Sequence, residues 1–179
     1  GKPGRQGEKR ESANNKRTGP MTGTETLAVK AHTKTQHFDV IIVGAGISGI
    51  GSAYHLTEQS PGTSFTVLES QEGFGGTWHT HRYPGIRSDS DMHTLGFVFE
   101  PWRHEKSIAD GPSILEYLNR IVDERGIREH IRFNNKVVGA DWDSAAARWT
   151  VTMEDDKGAV STTTARWLYL GWGCYDYDE

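Results

Sequence analysis

The chain has 179 residues, 35% of them apolar and 25% charged, with a formal net charge of -4, which suits one domain with a core of its own. No stretch approaches the roughly 18 consecutive apolar residues that a membrane crossing takes, and no hydrophobic leader is visible. The single cysteine, Cys174, leaves no internal disulfide and no CxxC site, so a reducing cytoplasm is the expected setting.

Along the chain, the first segment is basic. Through residue 36 there are eight Lys/Arg against three Glu, a balance of +5, and the remainder carries -9. An acidic body argues against a nucleic-acid binder. Residues 1–20 are polar and rich in Gly, Asn and Lys, so disorder is a simpler expectation there than a nucleic-acid or membrane arm, and residues 1–36 are expected to be a disordered basic segment. Order is expected from about residue 37, with residues 37–179 forming one domain.

Residues 38–43 (FDVIIV) form a nearly continuous apolar run, the pattern of a central parallel strand covered on both faces. A glycine-rich turn follows, then a helix to Gln59, punctuation at Ser60-Pro61-Gly62, and a second strand at 65–68. This is a βαβ unit of Rossmann type, with a right-handed crossover expected. Residues 71–102 are rich in Gly and aromatics without a clean period, and a loop of that length usually carries function.

Gly111-Pro112-Ser113 opens a helix through Arg125 with Ile114, Leu115, Leu118, Ile121 and Val122 on its apolar face, and Gly126 suits its stop. Strand-like segments follow at 131–133, 137–142, 148–153 and 167–170, with a hairpin turn at Asp155-Asp156-Lys157-Gly158.

The chemistry centres on Gly44-Ala45-Gly46-Ile47-Ser48-Gly49. Gly44 permits the tight turn, Gly46 lets backbone approach a pyrophosphate, and Gly49 allows helix and strand to pack closely. The anion would meet unpaired N–H groups at the positive end of the helix dipole. GxGxxG alone is a weak pattern. Here it follows a buried strand, opens a helix, and precedes Glu69 at the end of the next strand, where a carboxylate can accept hydrogen bonds from ribose hydroxyls. Dinucleotide binding is the expectation.

In order, GAGISG, LES, GGTW, RYPGIRSD and LYLGWGCYDYDE resemble the FAD half of the group B flavoprotein monooxygenases, especially the Baeyer–Villiger type, over roughly residues 37–179. The resemblance implies an α/β, Rossmann-like FAD-binding fold, a βαβ unit plus a β-meander. It implies that Gly44, Gly46 and Gly49, with Ser48 in the same loop, hold the FAD pyrophosphate and that Glu69 holds the adenosine ribose. Gly76, Thr77 and Trp78 would lie along the flavin side, and Val137, after Lys136, would meet adenine through its backbone. Asp89 would be the catalytic carboxylate, buried beside isoalloxazine and nicotinamide where peroxyflavin forms. The residues alone read Asp89 as a turn or N-cap carboxylate in Ser88-Asp89-Ser90-Asp91; the resemblance favours the functional role.

The implied cofactors are FAD and, in the complete enzyme, NADPH. The implied partners are oxygen and a ketone, thioether or thioamide-like substrate, with no nucleic acid. The family's second GxGxxG and its FxGxxxHxxxWP fingerprint do not occur in these residues. These 179 residues are therefore expected to carry an incomplete fold: the N-terminal FAD-binding part, without the NADPH domain or the C-terminal completion. A non-catalytic FAD-binding fragment is the alternative reading. Gly171-Trp172-Gly173 stands where the family usually has Ser or Thr before the glycine, and the indole would crowd the cofactor.

Other features point less far. His79 and His81 would share one strand face, but no further ligand pattern completes a metal site. Trp142, Trp149 and Trp167 lie in strand-like segments and are expected to pack. No triad spacing supports Cys174 as a nucleophile.

Overall fold

In a computed structural model of the protein, the described residues are 35–173. The expectations for residues 1–34, for Cys174 and for the closing YDYDE lie outside them.

Six strands form one sheet, in the spatial order β3 (Ile131–Arg132), β2 (Phe65–Leu68), β1 (Gln36–Val43), β6 (Val160–Leu170), β5 (Arg148–Glu154) and β4 (Lys136–Asp143). Strand β1 (Gln36–Val43) leads through helix α1 (Ile47–Gln59) to β2 (Phe65–Leu68), and β1 and β2 pair in parallel. Ile41 and Ile42 are fully buried and all four residues of β2 are buried, which accounts for the unbroken apolar runs. The loop that follows holds only two short helices, α2 (Thr77–Thr80) and α3 (Met92–Leu95). His79 and His81 therefore belong to a helical turn and its C-cap, not to a strand face as expected.

Helix α4 (Gly111–Glu124) buries Ile114, Tyr117, Leu118, Ile121 and Val122. Its N-cap is Asp110, whose carboxylate accepts from the Ser113 N–H at 2.9 Å; the Ser113 backbone and side chain hold its pKa below the ordinary value. At the other end Gly126 takes a left-handed φ of 63°. A 3-10 turn (Arg128–His130) then leads into β3 (Ile131–Arg132).

The antiparallel meander comprises β4 (Lys136–Asp143), β5 (Arg148–Glu154) and β6 (Val160–Leu170). The β5–β6 hairpin closes on the expected turn: Asp155 Oδ1 accepts from the N–H groups of Lys157 and Ala159, and Gly158 has a φ of 78°. Strand β6 is longer than the expected 167–170. Its first half, Val-Ser-Thr-Thr-Thr-Ala, carries little apolar signal, yet it pairs with β5 from Val160 and with β1 from Thr163. The Thr163 hydroxyl donates to the Gln36 carbonyl at 2.9 Å.

Two apolar clusters stabilise this arrangement. One sets α1 and α4 against Ile42, Phe65, Val67 and Ile131. The other joins Ile41, Val43 and Leu68 of the parallel strands to Val151, Met153 and Ala165 of the meander. Of the three strand tryptophans expected to pack, Trp149 lies against this second cluster. Trp142 and Trp167 are instead 48% and 69% exposed.

Candidate cofactor site

Strand register builds the site. Val43 pairs with Leu68 on one side and Leu170 on the other, and Leu68 pairs with Arg132. The residues that follow, Gly44, Glu69 and Gly171, therefore leave the sheet side by side at the carboxyl ends of parallel strands. Sequence order also reverses there, since β1 lies between β2 and the much later β6. Such a switch point is where open α/β sheets form a ligand crevice.

A cavity of about 900 Å³ occupies that end, at the upper part of the range for small-molecule sites. Gly44, Gly46, Ser48, Glu69, Gly76, Thr77, Trp78 and Val137 all line it, and so does Trp172. Helix α1 begins there at N-cap Gly46 with no capping side chain and no acidic residue in its first turn. No side chain of the helix itself offsets its positive end; the Glu69 carboxylate bonds just before it, to the Ala45 N–H.

The glycines have separate tasks. Gly44 takes a φ of 93°, and a Cβ on it would lie 2.7 Å from the Gly171 carbonyl oxygen. Gly49 does not line the cavity; a Cβ there would sit 1.9 Å from the Gly44 carbonyl oxygen. Its task is close packing beneath the turn, which supports the cavity from behind.

Glu69 is only 6% exposed. Its Oε2 accepts from the Ala45 N–H at 2.7 Å, and its Oε1 accepts from the Gln71 N–H at 2.9 Å and the Ser70 hydroxyl at 3.2 Å. A carboxylate offers about four acceptor positions, so one remains for a ligand. The adjoining wall is fixed by backbone bonds from Asn134 N–H to the Gln71 carbonyl and from Asn135 N–H to the Glu69 carbonyl. Asn135, Lys136 and Val137 complete that wall.

Asp89 is placed differently from the other candidates. It is exposed and does not line the cavity. The N-cap in its neighbourhood is Asp91, whose carboxylate accepts from the Thr94 N–H at 2.9 Å; the Thr94 side chain and backbone hold the Asp91 pKa below its ordinary value. Among the described residues no cluster of three or more His, Cys, Asp or Glu could hold a metal ion, and no helix is long and apolar enough to cross a membrane.

Gln71, Thr80 and Asn135 line the cavity without having been singled out from sequence. For Gln71 and Thr80 the one signal was the length of the loop after β2; Asn135, between β3 and β4, carried none.

Comparison with known proteins agrees with this geometry. The family model described as an NAD(P)-binding Rossmann-like domain matches residues 42–106. The FAD-containing monooxygenase EthA of Mycolicibacterium smegmatis is 55% identical over 145 residues, which is 81% of this chain and 29% of that protein. The chain thus spans less than a third of the length of that relative. Among solved structures, an oxidized steroid monooxygenase bound to NADP is similar with a TM-score of 0.69 and 33% identity, over 77% of this chain and 26% of that one. A structure of OTEMO in complex with FAD and NADP has a TM-score of 0.66 and 31% identity, over 78% of this chain and 26% of that one.

Proposed function

We propose, for a chain that resembles the flavin-dependent monooxygenases of Baeyer–Villiger type over four fifths of its length, that residues 37–179 are the FAD-binding part of such an enzyme. The observation carrying this reading is the convergence of the uncapped α1 N-terminus, Glu69 and the Gly75-Gly76 turn on one cavity.

The residues present fit the group. Gly44, Gly46 and Ser48 would hold the pyrophosphate against the first turn of α1, with Gly49 as the packing residue behind them. Glu69 would accept from the adenosine ribose, and the Val137 backbone would border adenine. Gly76, Thr77 and Trp78 would border the ribityl and flavin side. Bound FAD, reduced by NADPH in the complete enzyme, supplies the redox chemistry that activates oxygen toward a ketone or sulfur compound. The role of this chain is to bind and orient that cofactor. Asp89 is retained as the proposed catalytic carboxylate; from its exposed loop it would have to meet the nicotinamide side from outside the cavity.

A cytoplasmic setting belongs to the same proposal. Because these residues contain one dinucleotide fingerprint only, they are expected to bind FAD without oxidising NADPH. Purification with added FAD, followed by a flavin absorption spectrum and an NADPH oxidation assay, tests both statements. Stoichiometric flavin without turnover is the expected result. A folded sample that retains no flavin overturns the cofactor assignment, and NADPH turnover overturns the non-catalytic half.

A further inference from the structure

The cavity is framed by a closed circuit of hydrogen bonds. Starting at the glycine turn, the Ala45 N–H donates to Glu69 Oε2 at 2.7 Å, and Glu69 Oε1 accepts from the Gln71 N–H at 2.9 Å. The Gln71 side-chain amide donates to Thr80 Oγ1 at 2.8 Å, and that hydroxyl donates to the Gly76 carbonyl at 3.1 Å. The neighbouring Gly75 N–H returns to the Ala45 carbonyl at 2.9 Å and closes the loop. Glu69, Gln71, Gly75, Gly76 and Thr80 all line the cavity.

Each link uses a group within its capacity. A hydroxyl has one proton to give and lone pairs to receive, and Thr80 does both, so its orientation is fixed from two sides. The circuit also ties the start of α2 to the β1–α1 turn and the end of β2, which strand register already sets side by side. Their spacing is tight. A Cβ on Gly76 would stand 3.1 Å from the Gly46 Cα, so the two glycine turns face each other with no side chain between them. In contact, the two turns form one edge of the cavity, and an edge ordered only on binding would reduce affinity.

We propose that Gln71 and Thr80 are positioning residues of the cofactor site, holding the Gly75-Gly76 turn in register with the Gly44–Gly49 turn through this circuit. The inference rests on the FAD reading above, and its test separates the two. In the ligand-free full chain, Thr80→Val should speed amide hydrogen exchange at Ala45 and Gly75 while the chain remains folded. The same variant should bind FAD about tenfold more weakly, the scale of one or two lost hydrogen bonds. Thr80→Ser keeps the hydroxyl and should restore both properties to near wild type; Gln71→Met should behave like Thr80→Val.

Wild-type exchange and wild-type FAD affinity in Thr80→Val would overturn the positioning role. Failure of Thr80→Ser to rescue would overturn it too, by assigning the effect to methyl packing. A wild-type chain that binds no FAD sinks the cofactor reading, whereas unchanged exchange in a chain that does bind FAD sinks the circuit alone.

Discussion

Glu69 and Asp89 are both carboxylates at the end of a short motif, and the molecule treats them in opposite ways. Glu69 is buried at the end of β2 and receives three hydrogen bonds. Asp89 lies on an exposed stretch of the long loop, outside the cavity. The difference follows from how each is positioned. A strand end inside a βαβ unit is fixed by register to within a residue, so the carboxylate after Leu68 must emerge beside Gly44. Residues 81–91 have no such neighbour; Arg87 forms an isolated bridge with Asp110, and Ser88 bonds to Ala109, but Asp89 itself faces outward.

That contrast can be broken most sharply at the buried end. Gly49→Ala gains up to about 1 kcal/mol of helix propensity. Its Cβ, however, meets the Gly44 carbonyl at 1.9 Å, and overpacking against backbone should cost about 3 kcal/mol or more, so a large fall in Tm is expected. Glu69→Gln replaces one acceptor oxygen with a donor facing an N–H. Leaving such a group unsatisfied should cost about 1–3 kcal/mol in denaturant titrations, together with most FAD affinity.

A milder effect is expected at the far end of the loop. Glu100 is bonded to Arg120 and Arg125 at 3.0 and 3.2 Å. Burial raises its pKa, and the two guanidinium groups outweigh that, leaving it below the ordinary value. A lowered folded pKa means stability that is present above the unfolded value, about 4.3, and lost as pH falls through the folded one. Glu100→Gln should therefore flatten the acid side of the stability profile, measured by thermal melts at stepped pH. Asp89→Asn should have the smallest effect, within about 0.5 kcal/mol of wild type and without loss of FAD. A shift as large as that of Glu69→Gln would erase the distinction between the two carboxylates.

The parts legible in the sequence are those set by short-range rules. The βαβ unit, its glycine turn, Glu69 and the α4 face were readable because burial on both faces writes apolar runs and helix packing writes a period. Where the sequence misled, tertiary contact had replaced the local signal. The threonines before Ala165 form strand because β1 and β5 lie on either side of them. Trp167 looks like a core residue and is exposed. Gln71 and Thr80 carry no motif at all; only the fold shows that these residues, nine apart, bond to each other in the cavity wall.

The pairing of β1 with β6 has a consequence for how the chain is made. The partners Gln36 and Thr163 are 127 residues apart, and β6 flanks β1, the strand that ends in the glycine turn. At ribosomal speeds of about 5–20 residues per second, one edge of β1 waits roughly 6–25 s for its neighbour. During that interval Ile41 and Ile42 lie in a strand with an open edge, a target for nascent-chain chaperones and for mispairing. The turn at Gly44, which touches Gly171, gains its last wall only when β6 arrives, so the cavity can mature only after that wait.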